Sequence, residues 1–151
     1  MTSISVQLAQ HNDTATVARF VHALLDELSG GKPPAIEEIA EVAEAILSEP
    51  RVIAAIAYAD DEPVGVMTLN ECAAIYAGGK FGEISELYVH PDMRSQGIAQ
   101  QLLDHAQREA RARGWKRIEV GAPGQPAWHR TLNFYLRNGF DEVGPRLRRL
   151  I

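Results

Sequence analysis

The start of the chain alternates apolar and polar residues and then changes to a helical spacing. Alternation from Ile4 to Leu8 predicts a strand, and the polar residues 11–14 supply a helix N-cap. Apolar residues three and four positions apart then predict a helix that ends before Ser29 and two glycines. A second apolar stripe, from Ile36 to Leu47, predicts another helix. Pro50 ends it because proline has no amide donor.

The middle of the chain predicts a meander of three strands. The apolar runs 52–58 and 64–69 flank the polar residues 60–63, which predicts a hairpin. Two consecutive glycines at 78–79 mark the next turn, and residues 81–90 form the third predicted strand.

After this meander the spacing becomes helical again. The remaining predicted elements are a helix, a short strand, a loop, a second helix and a tail with one or two strands. They cover Ile98 to Gly114, residues 118–120, 121–126, about 127–138, and the segment from Phe140. The whole order indicates an α/β domain with a mixed sheet, in which the strands before and after the helix 98–114 are parallel neighbours.

Composition narrows the class of protein. A chain of 151 residues that is 46% hydrophobic suits one core, so we predict a single domain over residues 1–151. The net charge of −5 lacks the basic surplus of a nucleic-acid binder, and no apolar run approaches the ~20 residues of a membrane span. The single cysteine, Cys72, excludes an intramolecular disulfide and a metal-binding cysteine pair. We therefore expect a cytoplasmic protein with no metal, no nucleic acid and no membrane partner.

One short segment has the features of an anion site. Residues 94–99 read R-S-Q-G-I-A and lie between a predicted strand and the first turn of a predicted helix. Unpaired amides and the positive end of the helix dipole can hold a pyrophosphate there. Gly97 allows close approach of the backbone, and Arg94 can add a charged contact. Taken alone, the string also fits an ordinary loop with glycine at a helix start.

Two neighbouring strings decide between these readings. Leu87 to Pro91 reads L-Y-V-H-P, and Phe134 to Phe140 reads F-Y-L-R-N-G-F. With the turn at 94–99 they strongly resemble the GNAT superfamily of N-acetyltransferases, in which L-x-V-x-P, R/Q-x-x-G-x-G/A and F-Y-x-x-x-G-F recur in this order. The resemblance covers residues 81–143 closely. It implies a mixed, mostly antiparallel central sheet with a splayed parallel strand pair and about four flanking helices.

The resemblance also implies acetyl-CoA as co-substrate and a role for individual residues. The strand of Leu87 and Val89 matches the family's bulged strand, where pantetheine pairs and the amide of Val89 faces the thioester carbonyl. Tyr135 matches the tyrosine that protonates the departing CoA thiolate, although it could instead be a core aromatic. The residues placed at the cofactor are Leu87, Tyr88, Val89, Arg94, Ser95, Gln96, Gly97, Ile98, Ala99 and Phe134.

Two positions depart from the family pattern. Trp128 stands where an asparagine often contacts the pantetheine arm, which puts that contact in doubt. Ala99 replaces the commoner glycine, which the pattern tolerates.

A protonated amine must lose a proton before it attacks, and Glu83 and Glu86 are the candidate catalytic bases. In a regular strand Glu83 would share a face with Leu87 and Val89, and Glu86 would lie opposite, but a β-bulge inverts that alternation. The sequence leaves both arrangements open, and either glutamate could be a solvated strand residue.

Other residues with reactive side chains have plainer interpretations. His90 and His129 lack metal-ligand spacing, so we expect surface or capping roles. The basic end of the chain, with Arg146, Arg148 and Arg149, alternates with leucines and predicts a charged edge strand rather than a nucleic-acid patch.

Two other classes compete with the enzyme. A non-catalytic acyl-CoA sensor would keep the phosphate site without needing Tyr135 or the glutamates. A Rossmann dinucleotide binder is disfavoured because only Gly97 of its three glycines is present and Glu119 lies inside a strand.

The acceptor is predicted to be a primary amine of a small molecule or peptide, attacked directly in a ternary complex. Three loops, residues 29–34, 70–82 and 121–128, are expected around it, with Tyr76 and Trp128 as candidate walls. The acidic chain favours a small cationic amine over a basic protein tail. The sequence leaves open whether the protein forms a homodimer.

Overall fold

The chain divides into two compact units, Met1–Glu119 and Val120–Ile151. A computed structural model describes residues 1–125 and 127–151. Pro126, at the end of the loop predicted for residues 121–126, lies outside the described residues. The single domain over residues 1–151 stays a prediction. Within the described ranges, no helix is long and apolar enough to cross a membrane.

The central sheet has five strands in the order of the sequence. Strands β1 to β4 pair antiparallel with their neighbours, and β5 lies parallel to β4, where Gly82 donates its amide to the carbonyl of Arg117 at 3.1 Å. The elements are β1 Ile4–Leu8, α1 Thr14–Leu28, α2 Ile36–Leu47, β2 Val52–Ala59, β3 Glu62–Ala74, β4 Gly79–Val89, α3 Ile98–Arg113, β5 Ile118–Val120 and α4 His129–Arg137. The predicted mixed α/β sheet is confirmed, and its strands do not follow the parallel arrangement of a Rossmann fold.

The predicted helical stripes are the buried faces of α1 and α3. Val17 and Phe20 of α1 join a core cluster with Ile56, Val66 and Tyr88 on one face of the sheet. Helix α3 buries its own stripe, made of Ile98, Leu102, Leu103, Ala106 and Ala110. Burial of these apolar side chains is the main force that holds the helices in place.

A close contact fixes the start of β4. A Cβ atom on Gly82 would lie 2.3 Å from the ring of Trp115, so only glycine allows this approach. The indole Nε1 of Trp115 donates to Glu71 Oε2 at 2.8 Å, which ties the segment after α3 to β3. This hydrogen bond is the main cause that holds the pKa of Glu71 below its usual value.

Two predictions about loops and strands are wrong. Residues 70–82 are not a loop, because β3 continues to Ala74 and pairs with β4 from Gly79, which leaves only a short turn around Tyr76. The tail after α4 contains no strand within residues 140–151. Its residues from 141 onward are exposed and Gly144 has a φ of 132°, which a regular strand does not adopt.

Candidate active site

Strand β4 contains a β-bulge at its middle. Leu69 pairs with Ile84 and Thr68 pairs with Glu86, so Ser85 has no partner on β3. Ser85 is exposed, whereas Ile84 is buried. A bulge of this kind bends the strand and increases its local twist. The structure therefore contains the bulged strand that the resemblance implied.

The bulge decides on which face of the sheet the candidate bases lie. Glu83 pairs with Asn70, and Glu86 pairs with Thr68. Thr68 and Asn70 are two residues apart on one strand and share a face, so their partners share it as well. A regular strand with Glu83 on the face of Leu87 is therefore excluded. Both glutamates are half-buried on the face that α1 partly covers.

Thr68 makes two hydrogen bonds to Glu86. Its hydroxyl Oγ1 accepts from the backbone amide of Glu86 at 3.0 Å and donates to the carboxylate Oε1 of Glu86. Thr68 is only 5% exposed and lies in the apolar run of β3. The carboxylate is thus held against the strand that carries it, with Oε2 not used in this contact.

Cys72 lies further along the same face of β3, opposite Phe81. Burial, followed by the charge of Glu83, raises the pKa of the Cys72 thiol. A thiol that stays protonated is a poor nucleophile, because the thiolate is the reactive form.

The outer edge of β4 has backbone groups that do not bond to β3. The amide of His90 donates to the carbonyl of Val64 at 2.8 Å, so the neighbouring Val89 turns its amide and carbonyl away from β3. Leu87, two residues earlier, has the same orientation. The carbonyl of Val89 accepts from Nε of Arg94 at 2.9 Å. An extended ligand could pair with this edge as an added strand.

The segment before α3 has the geometry of an anion site. Ser95 and Gly97 have φ angles of 64° and 79°, and no side chain caps the helix at Gly97. The first turn of α3 carries no acidic residue. A Cβ atom on Gly97 would meet no atom within 4 Å, so the space in front of the helix start is open. Exposed residues line this turn, namely Arg94, Ser95, Gln96 and Gly97, followed by half-buried Ala99.

Three predicted cofactor residues make contacts within the first unit. Arg94 Nη2 contacts Glu27 Oε2 at 2.6 Å, and its guanidinium lies 5.3 Å from the ring centre of Tyr88. Tyr88 packs in the core beside Phe20, and burial is the main cause that raises its pKa. Ile98 is buried in the core beneath α3. The roles of these residues at the cofactor stay predictions.

Tyr135 lies in the second unit, on α4. Its ring makes edge contacts with Phe134 and Phe140, each at 5.4 Å between ring centres. Gly139, with a φ of 89°, ends the helix, and the amide of Phe140 donates to the carbonyl of Tyr135 at 3.1 Å. Burial raises the pKa of Tyr135 to about 12, so its phenol stays protonated at neutral pH.

The remaining candidates have simple roles or none assigned. His90 caps a short turn, since its Nδ1 accepts from the amide of Asp92 at 3.1 Å, which confirms the expected capping role. His129 is exposed at the start of α4, beside half-buried Trp128. Within the described ranges there is no cluster of three or more histidine, cysteine or acidic residues that could hold a metal.

Residues 18–140 match the family described as the acetyltransferase (GNAT) family. The match spans well over half of the chain. The chain belongs to the GNAT family. The resemblance that the three sequence strings suggested is confirmed. Membership favours a transferase over the non-catalytic sensor.

Individual relatives agree with this assignment. Aminoalkylphosphonate N-acetyltransferase of Salmonella typhimurium is 36% identical over 97 residues, which cover 64% of this chain and 61% of that protein. Ribosomal-protein-alanine N-acetyltransferase from Brucella melitensis biovar Abortus 2308 has a TM-score of 0.73 at 23% identity, over 97% and 100% of the chains. An aminoglycoside acetyltransferase from an uncultured soil metagenomic sample has a TM-score of 0.79 at 21% identity, over 99% of both. At these identities the two structures show the fold alone.

The sequence did not predict two residues that contact the predicted site residues. Thr68 belongs to no motif and interrupts an apolar run, so a buried polar residue within a strand was its only signal. Glu27 pairs with Arg94 from 67 positions away, and no local pattern links them.

Replacing Gly97 with glutamate is expected to weaken CoA binding by more than about tenfold, because charge-assisted bonds from the turn to the phosphates would be lost. Isothermal titration with CoA measures the change. Gly114→Glu is a matched control, since Gly114 has a φ of 74° and equally open space at the other end of α3. The control should bind CoA normally. Equal affinity in both folded variants would place the ligand elsewhere.

Proposed function

We propose that this protein transfers the acetyl group of acetyl-CoA to the primary amine of a small molecule, by direct attack in a ternary complex. One observation carries the proposal. The bulged strand β4 places Glu83 and Glu86 together on one face, while Leu87 and Val89 turn backbone groups toward its outer edge. A turn that suits anionic phosphates follows between this strand and α3. The proposed base, oxyanion donor and phosphate site therefore follow one another along the chain.

The residues present fit acetyl-CoA. The open turn at Gly97 and the uncapped start of α3 suit a pyrophosphate, which backbone amides and the helix dipole stabilise. The backbone amides and carbonyls of Leu87 and Val89 that point away from β3 could bond to the amides of pantetheine, as they would to a neighbouring strand. Bound acetyl-CoA supplies the activated acetyl group. The amide of Val89 would donate to the thioester oxygen, where negative charge develops during attack.

The two carboxylates have distinct proposed roles at the amine. Glu86, held by Thr68 through Oε1, would remove the ammonium proton through Oε2, directly or through a water molecule. Glu83 lies on the same face and would attract the cationic amine. Tyr135, whose raised pKa keeps the phenol protonated, would donate its proton to the leaving thiolate.

Direct transfer is preferred over a route through an acetylated cysteine. Cys72 lies on the same face as the glutamates, but burial and the charge of Glu83 raise its pKa. Its thiolate is therefore scarce at neutral pH, which makes nucleophilic attack on a thioester slow. The amine itself, once deprotonated, is the nucleophile in this proposal.

The acceptor class is proposed from charge and from one relative. The chain carries a net charge of −5, and the two glutamates attract an ammonium group. The Salmonella relative is named for aminoalkylphosphonates, which are small primary amines with an anionic end. We infer that the acceptor is a small primary amine whose ammonium group lies near Glu83. Cytoplasmic location and homodimer formation stay predictions.

A panel of amines tests the function. Purified protein and acetyl-CoA are combined with an aminoalkylphosphonate, a polyamine, an aminoglycoside and a peptide with an N-terminal alanine, and CoA release is followed. We expect turnover with at least one small amine, intersecting initial-rate plots, and no stable acetyl adduct on Cys72 by intact mass. CoA binding without any turnover would indicate the sensor instead. An adduct on Cys72 that amine removes would establish a two-step route.

A further inference from the structure

Thr68 is the only polar residue among the core residues of β3, and its hydroxyl bonds to a single glutamate, Glu86. Among the described residues, Thr68 and Thr14 are the buried polar residues, and Thr68 sits between Met67 and Leu69, which are fully buried. A valine would fill the same volume without the cost of burying a hydroxyl. The presence of threonine therefore calls for a partner, and both of its hydrogen bonds go to Glu86.

The bulge explains why the hydroxyl is needed there. The extra residue Ser85 interrupts the ladder, and the amide of Glu86 bonds to Thr68 Oγ1 at 3.0 Å. A hydroxyl has one proton and two lone pairs. Once the amide occupies a lone pair, the proton remains to be donated, and it goes to the carboxylate Oε1 of Glu86. The same oxygen thus holds both the backbone and the side chain of one residue.

We propose that Thr68 is the positioning residue for Glu86, holding its carboxylate oriented so that Oε2 faces the amine. This inference rests on the proposed function, in which Glu86 is the base. A hydrogen bond donated to a carboxylate is charge-assisted, so it fixes the orientation of that group more firmly than a neutral hydrogen bond would. The bond also restricts the side chain of Glu86 to fewer rotamers before the amine binds. Less conformational entropy is therefore lost during the reaction. Thr68 itself touches neither substrate.

The test compares Thr68→Val with Thr68→Ser, each in the wild-type and the Glu86→Gln background. In the wild-type background Thr68→Val should lower kcat/KM for the amine about tenfold. Thr68→Ser, which keeps the hydroxyl, should restore it. The Michaelis constant for acetyl-CoA should stay within about twofold in all variants.

The double mutant separates positioning from general stability. In the Glu86→Gln background the Thr68→Val change should cost less than about twofold, because its effect passes through the carboxylate. Thr14→Val is the matched control, since it removes the other buried threonine hydroxyl, which donates to the carbonyl of His11. It should leave kcat/KM for the amine within about twofold of wild type. An equal loss in both backgrounds, or no rescue by serine, would overturn the proposal.

A readout without turnover keeps the inference separate from the proposed function. The carboxyl carbon of Glu86 can be followed by NMR in labelled protein, and its chemical shift should change in Thr68→Val and return in Thr68→Ser, because the hydrogen bond to Oε1 is lost and then restored. An unchanged signal in Thr68→Val would refute the role of Thr68 even in an active enzyme. A changed signal in a protein that acetylates no amine would instead refute the proposed function alone.

Discussion

Tyr135→Phe is expected to slow acetyl transfer by ~100- to 10,000-fold, the usual contribution of general acid catalysis. The substitution removes one hydroxyl and keeps the ring that packs against Phe134 and Phe140. Affinity for CoA should therefore change little. The rate is best measured in a single turnover, with acetyl-CoA bound first and amine added, because CoA release could mask the chemical step.

The raised pKa of Tyr135 gives this prediction a pH signature. Burial raises the value from 10.0 to about 12, so the phenol remains a proton donor at every pH below about 10. Any alkaline loss of activity below that pH must come from another group. The sign for stability follows by linkage: the folded state holds this proton more tightly, so stability is retained below pH 10 and lost as the pH rises toward 12.

A second tyrosine controls for the loss of a hydroxyl. Tyr58 of β2 packs against the core cluster, and burial is the main cause that raises its pKa. Tyr58→Phe should keep the single-turnover rate within about twofold. If Tyr135→Phe also stays within about threefold of wild type, Tyr135 is a packing residue and another group supplies the proton.

Glu86→Gln is expected to lower kcat/KM for the amine by ~100- to 10,000-fold at neutral pH, because the ammonium proton loses its acceptor. The loss should shrink as the pH rises, since an alkyl amine near its own pKa of ~10.4 deprotonates without help. The rate of the variant should thus increase about tenfold per pH unit in the neutral range. CoA affinity, measured by titration, should be unaffected.

Glu83→Gln is the matched comparison for this experiment. Glu83 lies on the same face, but its partner on β3 is Asn70 rather than Thr68. Its loss should mainly raise the Michaelis constant for a cationic amine, by about tenfold or less. If Glu83→Gln removes the pH-dependent step and Glu86→Gln does not, the two roles are exchanged.

Much of the fold could be predicted because its helices have clear periodic patterns. The stripes of α1 and α3 and the turn at Gly114 were each visible in the sequence. The extension of β3 to Ala74 was not, because its last residues are mixed polar and apolar and become a strand only through pairing with β4. The segment after Phe140 alternates polar and apolar residues, as a strand does, but it forms no strand. Alternation alone does not supply the neighbouring strand with which it would have to pair.

The candidate site, like the fold, could be predicted only in part. The phosphate turn could be predicted because glycine at a helix start has a local physical meaning, and Gly97 adopts the expected left-handed conformation. The face of each glutamate could not, because it depends on the register between β3 and β4 and on one unpaired residue. The bond between Thr68 and Glu86 is a consequence of that register, so it was equally invisible.

The unpaired Ser85 has a consequence for how this protein can evolve. If that residue were deleted, β4 would pair regularly, and Glu83, Glu86 and Tyr88 would still point to one face. The extra residue therefore leaves these three side chains on the face that they would share in the shortened strand, and what it adds is the bend in the backbone and the bond of the Glu86 amide to Thr68. Because the Ser85 side chain is exposed, the position should accept many substitutions yet reject deletion. In descendants of this gene the identity of residue 85 can drift, whereas the length of the segment cannot.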